Sequence, residues 1–175
     1  EVLACKDERV RRQKYYAWKL LGYALQRSPG YKIEEMRFRK EKNGKWTTPS
    51  CAFSLSHSHG VAAVAVSDGE VGVDVEKIVP EKADFLQKIL TEQERAAFAT
   101  KGEEDRVQTL FEIWTKKESI FKRAGDGFFR PQKIVLESAC VQTEKLSLDG
   151  GEYALSVATE SGVAVRYFFG VDLSE

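Results

Sequence analysis

The sequence has few cysteines and no long apolar run. Cys5, Cys51 and Cys140 are widely spaced, odd in number, and form no CxxC pair. A zinc ribbon or a disulfide framework is therefore disfavoured, and reduced thiols in a cytoplasmic protein are the simplest interpretation. Because no apolar stretch approaches the roughly 20 residues that span a bilayer, and no signal peptide is recognisable, we expect no membrane association.

The sequence also lacks an excess of either charge. Its 27 basic and 27 acidic residues cancel, which gives no support to bulk electrostatic binding of nucleic acid or of an anionic membrane. Hydrophobic residues make up 42% of the 175 positions, and aromatic residues make up 11%. Such a chain can bury a core, either as one domain or as two small halves that share one.

The first part of the chain reads as a helix followed by short strands. We expect the helix over residues 7–26, ended by Ser28-Pro29-Gly30. The strands are expected at 33–46, with a turn at Asn43-Gly44, and at 51–58, 60–69 and 70–78, with Asp68-Gly69 as a hairpin turn between the last two.

The second part repeats this order. A short helix is expected in 82–90, a second opens with the capping-box pair Thr91 and Glu94, and a long helix covers 103–123. Strands are expected at 133–138, 145–150, 152–159 and 163–173. The pattern predicts an α+β fold of two lobes, 1–76 and 77–175, each a helix packed on a small antiparallel sheet.

The predicted strand VGVDVEKI, residues 71–78, carries two acids. Strand side chains alternate between faces, so Asp74 and Glu76 point to one side and Val73 and Val75 to the other. Two like charges on one face repel each other. They indicate either a solvated edge strand or a hard divalent cation such as Mg²⁺, which prefers carboxylate oxygens and neutralises their repulsion.

A third carboxylate interrupts the apolar stripe of the long helix. At about 100° per residue, Glu118 falls among the apolar side chains of Val107, Leu110, Phe111, Trp114 and Phe121. A carboxylate there is costly unless something pairs with it. One interpretation pairs it with Lys122 at i+4 on the surface. The other turns it toward a cleft, where a cation offsets its charge and the flanking lysines meet an anionic ligand.

Three segments taken in order resemble the signature of the Sfp-type 4′-phosphopantetheinyl transferases. They are FSLSHS (53–58), VGVDVEKI (71–78) and FEIWTKKESIFKRAGDG (111–127). The family's pattern is a Ser-His pair, then Gly-[Val/Ile]-Asp-[Val/Ile]-Glu, then Trp-x-x-Lys-Glu-[Ala/Ser]-x-x-Lys. NGKW (43–46) resembles the family's Gly-Lys-Pro turn, with Trp46 in place of proline. Each motif alone is weak evidence, whereas all of them in this order are specific.

This resemblance implies both a fold and a reaction. The family folds as two pseudo-symmetric α+β lobes with the active site between them. It transfers 4′-phosphopantetheine from coenzyme A to a serine of an acyl or peptidyl carrier protein, usually with magnesium, and releases adenosine 3′,5′-bisphosphate. Such carriers serve fatty-acid, polyketide and nonribosomal-peptide synthesis.

The resemblance also implies roles for the three acids. Carried over by position, Asp74, Glu76 and Glu118 would bind Mg²⁺, which also grips the pyrophosphate of coenzyme A. Glu118 would act as general base on the carrier serine, directly or through a water. In phosphoryl transfer, positioning and charge neutralisation are expected to dominate, so Asp74 counts as catalytic with Glu118.

The remaining site residues would contact coenzyme A. Lys122, with Lys117 beside it, would stabilise the charge on the transferred phosphate. His57 would contact the 3′-phosphate or the pyrophosphate with Ser56 beside it, and Lys45 would serve the adenosine side. A histidine at a strand end is otherwise more often structural, and metal ligation by His57 is disfavoured because Mg²⁺ avoids imidazole.

The carrier protein would dock near the metal. Carriers are usually acidic, so a basic and apolar rim is expected, and the family uses the segment after the Asp-x-Glu strand. Its apolar candidates here are Phe85, Leu86, Ile89 and Leu90. The alternative is that these side chains pack the core. Because one chain holds both lobes, a monomer is expected.

Two functions of other classes fit part of the pattern. A catalytically silent module could bind coenzyme A and regulate a partner, although the intact acid trio argues against it. A Mg²⁺-dependent phosphate hydrolase would use the same acids without needing a protein docking surface.

Overall fold

The computed structural model describes residues 2, 4–125, 127–137, 139–148 and 150–171, except for the side chains at 103 and 104. It confirms an α+β fold with small antiparallel sheets. The helices are α1 Glu8–Arg27, α2 Ala83–Leu86, α3 Glu92–Ala99 and α4 Glu103–Ala124. The strands are β1 Arg39–Lys40, β2 Trp46–Thr47, β3 Ala52–Ser58, β4 Val61–Ser67, β5 Gly72–Lys77, β6 Val141–Leu148 and β7 Gly151–Ala158. Among the described helices, none is both long and apolar enough to cross a membrane.

Helix α1 packs on the hairpin formed by β3 and β4. Its N-cap is Asp7, whose carboxylate accepts hydrogen bonds from the backbone N–H groups of residues 9 and 10. The face that includes Ala17, Leu21 and Leu25 is buried. The hairpin turn is His59-Gly60, and both residues have positive φ, 47° and 90°, as a two-residue type I′ turn requires.

Strand β5 connects the β3–β4 hairpin with the three-stranded sheet. It does not form the hairpin with β4 that Asp68-Gly69 led us to expect; it pairs with β7, in a sheet of order β5-β7-β6. On its other side it meets β3 through side chains, because Ser54, Ser56 and Ser58 accept hydrogen bonds from the β5 backbone N–H groups at 3.0, 3.3 and 3.2 Å. We call this set the serine ladder. The lobe boundary expected at residue 76 falls inside β5.

Helix α4 lies against β5 and β7 at close range. A Cβ atom added to Gly72 would stand 1.9 Å from the backbone oxygen of Ser119, so only glycine allows this approach. Leu110 and Phe111 are buried on the same helix. The helix ends at Gly125, which adopts the left-handed conformation.

The segment after β5 buries most of the apolar side chains that the sequence offered for a docking rim. Leu86, Ile89 and Leu90 are buried in the core, whereas Phe85 is 60% exposed. Three of the four candidates for the docking rim therefore pack inside. The capping box of α3 is formed as predicted between Thr91 and Glu94.

Three predicted strand regions are wrong. Residues 33–46 contain a 3-10 turn, Ile33–Glu35, and only two short strands. Residues 133–137 begin in the 3-10 turn Pro131–Lys133 and form no strand. Residues 163–171 form no strand either. The remaining predicted positions, 138, 172 and 173, lie outside the described residues. The physical reason is that an alternation of apolar and polar residues indicates which side chains are buried, and Val165 and Tyr167 are indeed partly buried. It does not indicate whether the backbone forms hydrogen bonds with another strand.

Candidate active site

The acids singled out in the sequence line one cleft of about 230 Å³. Strand β3 supplies one wall, β5 the floor and α4 the opposite wall. The lining side chains are Leu55, Ser56, His57, Asp74, Glu76, Trp114, Glu118 and Lys122. Apart from Lys45 and Lys117, the structure brings every candidate site residue to this cleft.

Asp74 is the most deeply buried acid of the cleft, with 3% of its surface exposed. Its Oδ1 accepts hydrogen bonds from Ser56 Oγ at 2.8 Å and from Lys122 Nζ at 2.6 Å. Its Oδ2 is buried and has no hydrogen-bond partner. A buried carboxylate oxygen without a partner is costly, so it indicates that another group is meant to occupy that side.

Glu76 leaves β5 on the same face as Asp74. Its Oε2 accepts a hydrogen bond from Ser58 Oγ at 2.7 Å. Burial raises the pKa of this carboxyl, and the charge of Asp74 acts in the same direction. Ser58 was not among the predicted site residues, although its spacing of two residues from Ser56 on a strand indicates that both face the acids.

Glu118 enters the cleft from α4. Burial, with the charge of Asp74 as a second cause, raises its pKa to about 7, and the charge of Lys122 opposes this shift. The charges of Asp74 and Glu76 thus add to burial in disfavouring the ionised form of Glu118. A cation between them would reverse that effect.

The donor set fits a hard cation. Three carboxylates, one of which has the unpartnered Oδ2 of Asp74, offer the oxygen ligands that Mg²⁺ accepts together with waters and phosphate oxygens. Within the described part of the chain, no three His, Cys, Asp or Glu side chains are already gathered tightly enough to hold an ion. Ligation would therefore draw the three acids closer together.

One lysine lies in the cleft, and a second lies in a cavity beside it. Lys122 Nζ donates to Asp74 and also to Ser56 Oγ at 3.1 Å. Lys45 Nζ donates to the backbone oxygens of Lys122 and Arg123 at 2.9 and 3.0 Å, at the C-terminal end of α4, where a cation is favoured. Lys45 lines a neighbouring cavity of about 270 Å³ with Trp46, and Lys122 belongs to both cavities.

Lys117 does not face the cleft, which corrects the prediction that it meets the phosphate. Its side chain is 0% exposed, and Nζ donates to Glu94 Oε2 at 2.6 Å and to the backbone oxygens of Ile89 and Pro131 at 3.0 and 2.9 Å. An ammonium has three protons, so its donor capacity is used. Lys117 ties α4 to α3 and to the turn at Pro131. The helical angle that placed it beside the stripe could not reveal these partners.

Comparison with known proteins agrees with the geometry. A family model described as the 4′-phosphopantetheinyl transferase superfamily matches residues 70–166. The chain is 32% identical over 99 residues to the 4′-phosphopantetheinyl transferase gsp of Aneurinibacillus migulanus, covering 56% of this chain and 42% of that protein. It is 27% identical over 120 residues to the 4′-phosphopantetheinyl transferase Sfp of Bacillus subtilis strain 168, covering 64% and 54%.

A third relative extends the match. The chain is 28% identical over 138 residues to the 4′-phosphopantetheinyl transferase HetI of a Nostoc species, covering 74% of this chain and 56% of that protein. The chain thus spans about half the length of the curated relatives it matches. The region matched by the family model contains β5 and α4, which carry all three acids.

Proposed function

The chain belongs to the 4′-phosphopantetheinyl transferase superfamily, and on that premise we propose that it transfers 4′-phosphopantetheine from coenzyme A to a serine of an acyl or peptidyl carrier protein. One observation carries the proposal. Asp74, Glu76 and Glu118 line a single cleft with Lys122, and a buried oxygen of Asp74 has no partner there. Three acids beside a lysine suit a ligand that brings both a divalent cation and a polyphosphate.

The transfer breaks one phosphoanhydride bond and makes one phosphate ester. The serine oxygen of the carrier attacks the phosphorus that bears the pantetheine arm, and the bond from that phosphorus to the bridging oxygen breaks. The electron pair leaves with adenosine 3′,5′-bisphosphate. Glu118 takes the serine proton, and Lys122 stabilises the charge on the transferred phosphate.

Asp74, Glu76 and Glu118 would hold Mg²⁺. The bound ion would neutralise the pyrophosphate charge and help to orient it. The serine ladder supports the acids from behind, because Ser56 donates to Asp74 and Ser58 donates to Glu76. Side chains restrained in this way lose little further freedom on binding the ion.

Coenzyme A would extend from this cleft into the neighbouring cavity. His57 and Ser56 lie on the cleft wall for contact with phosphate, and Lys45 lies in the neighbouring cavity for the adenosine side. Lys122, which lines both cavities, would contact coenzyme A where it passes from one cavity to the other.

The carrier would approach the rim beside α2. Phe85 is exposed there, and Lys88 Nζ lies 6.0 Å from the centre of its ring, which gives an apolar and a basic group side by side. This pair fits an acidic carrier surface. We propose a monomer acting in the cytoplasm, and the absence of disulfides at Cys5, Cys51 and Cys140 is compatible with that location.

The test is a mass measurement on the carrier. The protein is incubated with coenzyme A, Mg²⁺ and several apo carriers from fatty-acid, polyketide and nonribosomal-peptide systems, and each carrier is weighed. We expect at least one carrier to gain a single 4′-phosphopantetheine group, and the Glu118→Gln variant to add none at the same time point. No gain on any carrier would refute the transferase. Adenosine 3′,5′-bisphosphate released without a carrier would favour the hydrolase, and binding of coenzyme A without turnover would favour the silent module.

A further inference from the structure

The side chain of Gln13 on α1 reaches the turn between β3 and β4. Its amide lies 2.9 Å from the backbone nitrogen of Gly60, 3.3 Å from that of His59 and 3.2 Å from Nδ1 of His57. Two of these partners are backbone N–H groups, which can only donate. The carbonyl oxygen of Gln13 must therefore face them, and its NH₂ group must face His57.

This orientation determines where His57 carries its proton. An NH₂ group can only donate, so Nδ1 of His57 must accept with its lone pair. Burial, together with the charge of Lys122, lowers the pKa of His57, so the ring is neutral at pH 7 and holds one proton. That proton must sit on Nε2, the nitrogen that Gln13 does not hold.

A neutral donor suits this cleft better than an imidazolium. Lys122 already brings a positive charge to it, and a cation held by the three acids would add more. An imidazolium would repel both, whereas Nε2–H can still donate to a phosphate oxygen without adding charge. The turn between β3 and β4 thus determines which nitrogen of His57 donates. Its two backbone N–H groups orient the amide of Gln13, and that amide selects the tautomer of His57.

We propose that Gln13 is a positioning residue that fixes His57 as the Nε2–H tautomer and so presents one neutral donor to a phosphate of coenzyme A. The phosphate contact rests on the proposed function, whereas the tautomer does not. Neither the motifs nor the comparisons single out Gln13.

The test uses the isosteric variant Gln13→Glu. A glutamate keeps an oxygen for the turn but offers His57 a carboxylate acceptor, which favours a proton on Nδ1 whether the ring stays neutral or becomes an imidazolium. The matched control is Gln26→Glu, the same change at an exposed position near the other end of α1. The measurement is the side-chain ¹⁵N spectrum of His57 in the free protein at neutral pH, which distinguishes the protonated ring nitrogen from the bare one.

We expect the wild type and Gln26→Glu to show His57 protonated on Nε2, and Gln13→Glu to show it protonated on Nδ1. For Gln13→Glu we also expect the KM for coenzyme A to rise by about tenfold, with a smaller effect on kcat. A wild-type ring protonated on Nδ1 overturns the proposal, as does an unchanged spectrum in Gln13→Glu. Because the spectrum requires no substrate, these results are independent of whether any carrier is modified.

Discussion

Replacing Lys117 with methionine should lower the stability of the protein strongly and leave the turnover of its folded molecules nearly unchanged. The ammonium of Lys117 is fully buried and meets a carboxylate and two backbone oxygens. Without it, the carboxylate of Glu94, which is 15% exposed, is left without its cation. Breaking a buried pair in this way costs about 3–5 kcal/mol.

This magnitude is easily measured. For a domain of this size, 1 kcal/mol shifts Tm by about 2–4 °C, so the variant should melt roughly 6–20 °C lower. The assay is thermal and urea unfolding followed by far-UV circular dichroism. Transfer is then measured at a low temperature where both proteins are folded. Lys116→Met, the same change at the adjacent, partly buried position, is the control and should shift Tm little.

A second substitution sharpens the test. Adding Glu94→Gln to Lys117→Met removes the stranded charge while keeping an oxygen for the capping box, so the double variant should recover part of the loss. A Lys117→Met variant that melts like the wild type but transfers at least a hundredfold more slowly would contradict the structural role of Lys117. That result would support the original prediction that Lys117 contacts the transferred phosphate.

Three more outcomes are expected. Gly72→Ala should destabilise the protein by about 3 kcal/mol or more in urea unfolding, because its Cβ would meet the backbone oxygen of Ser119. The control Gly102→Ala, whose Cβ would have its nearest neighbour 3.9 Å away, should cost far less. Equal costs would contradict the close approach of α4 to Gly72. Glu118→Gln should reduce transfer by about 10²–10⁴-fold in the carrier assay with an unchanged circular dichroism spectrum, and near-full activity would remove it as the base. Mg²⁺ should raise the Tm of the wild type, and this gain should be lost in Asp74→Ala, whereas an equal gain in both would place the ion elsewhere.

The three acids of the site could be predicted because each depends on a local period. Strand alternation put Asp74 and Glu76 on one face, and the helical angle put Glu118 on the stripe that faces β5. Strand alternation and the helical angle both depend only on residues that are close together in the sequence. The family resemblance then supplied the reason why a strand and a distant helix should meet.

The partners of the other residues depend on contacts across the chain and could not be predicted. Nothing near β5 signals that its backbone partner is β7, about 80 residues later, with the serine ladder on its other side. Lys117 is adjacent to Glu118 in the motif, yet its ammonium donates hydrogen bonds to α3 and to the turn at Pro131. The segment 163–171 alternates like a strand but forms no ladder in the described residues.

The serine ladder makes the stability of the fold and the geometry of the site inseparable. Each hydroxyl of Ser56 and Ser58 accepts from a β5 N–H, so its own proton must point elsewhere, and it points at a carboxylate. An alanine there would loosen the contact between the sheets and release an acid at the same time. A substitution at either position would therefore change the thermal stability of the protein and the position of an acid together, so neither property could be tuned alone.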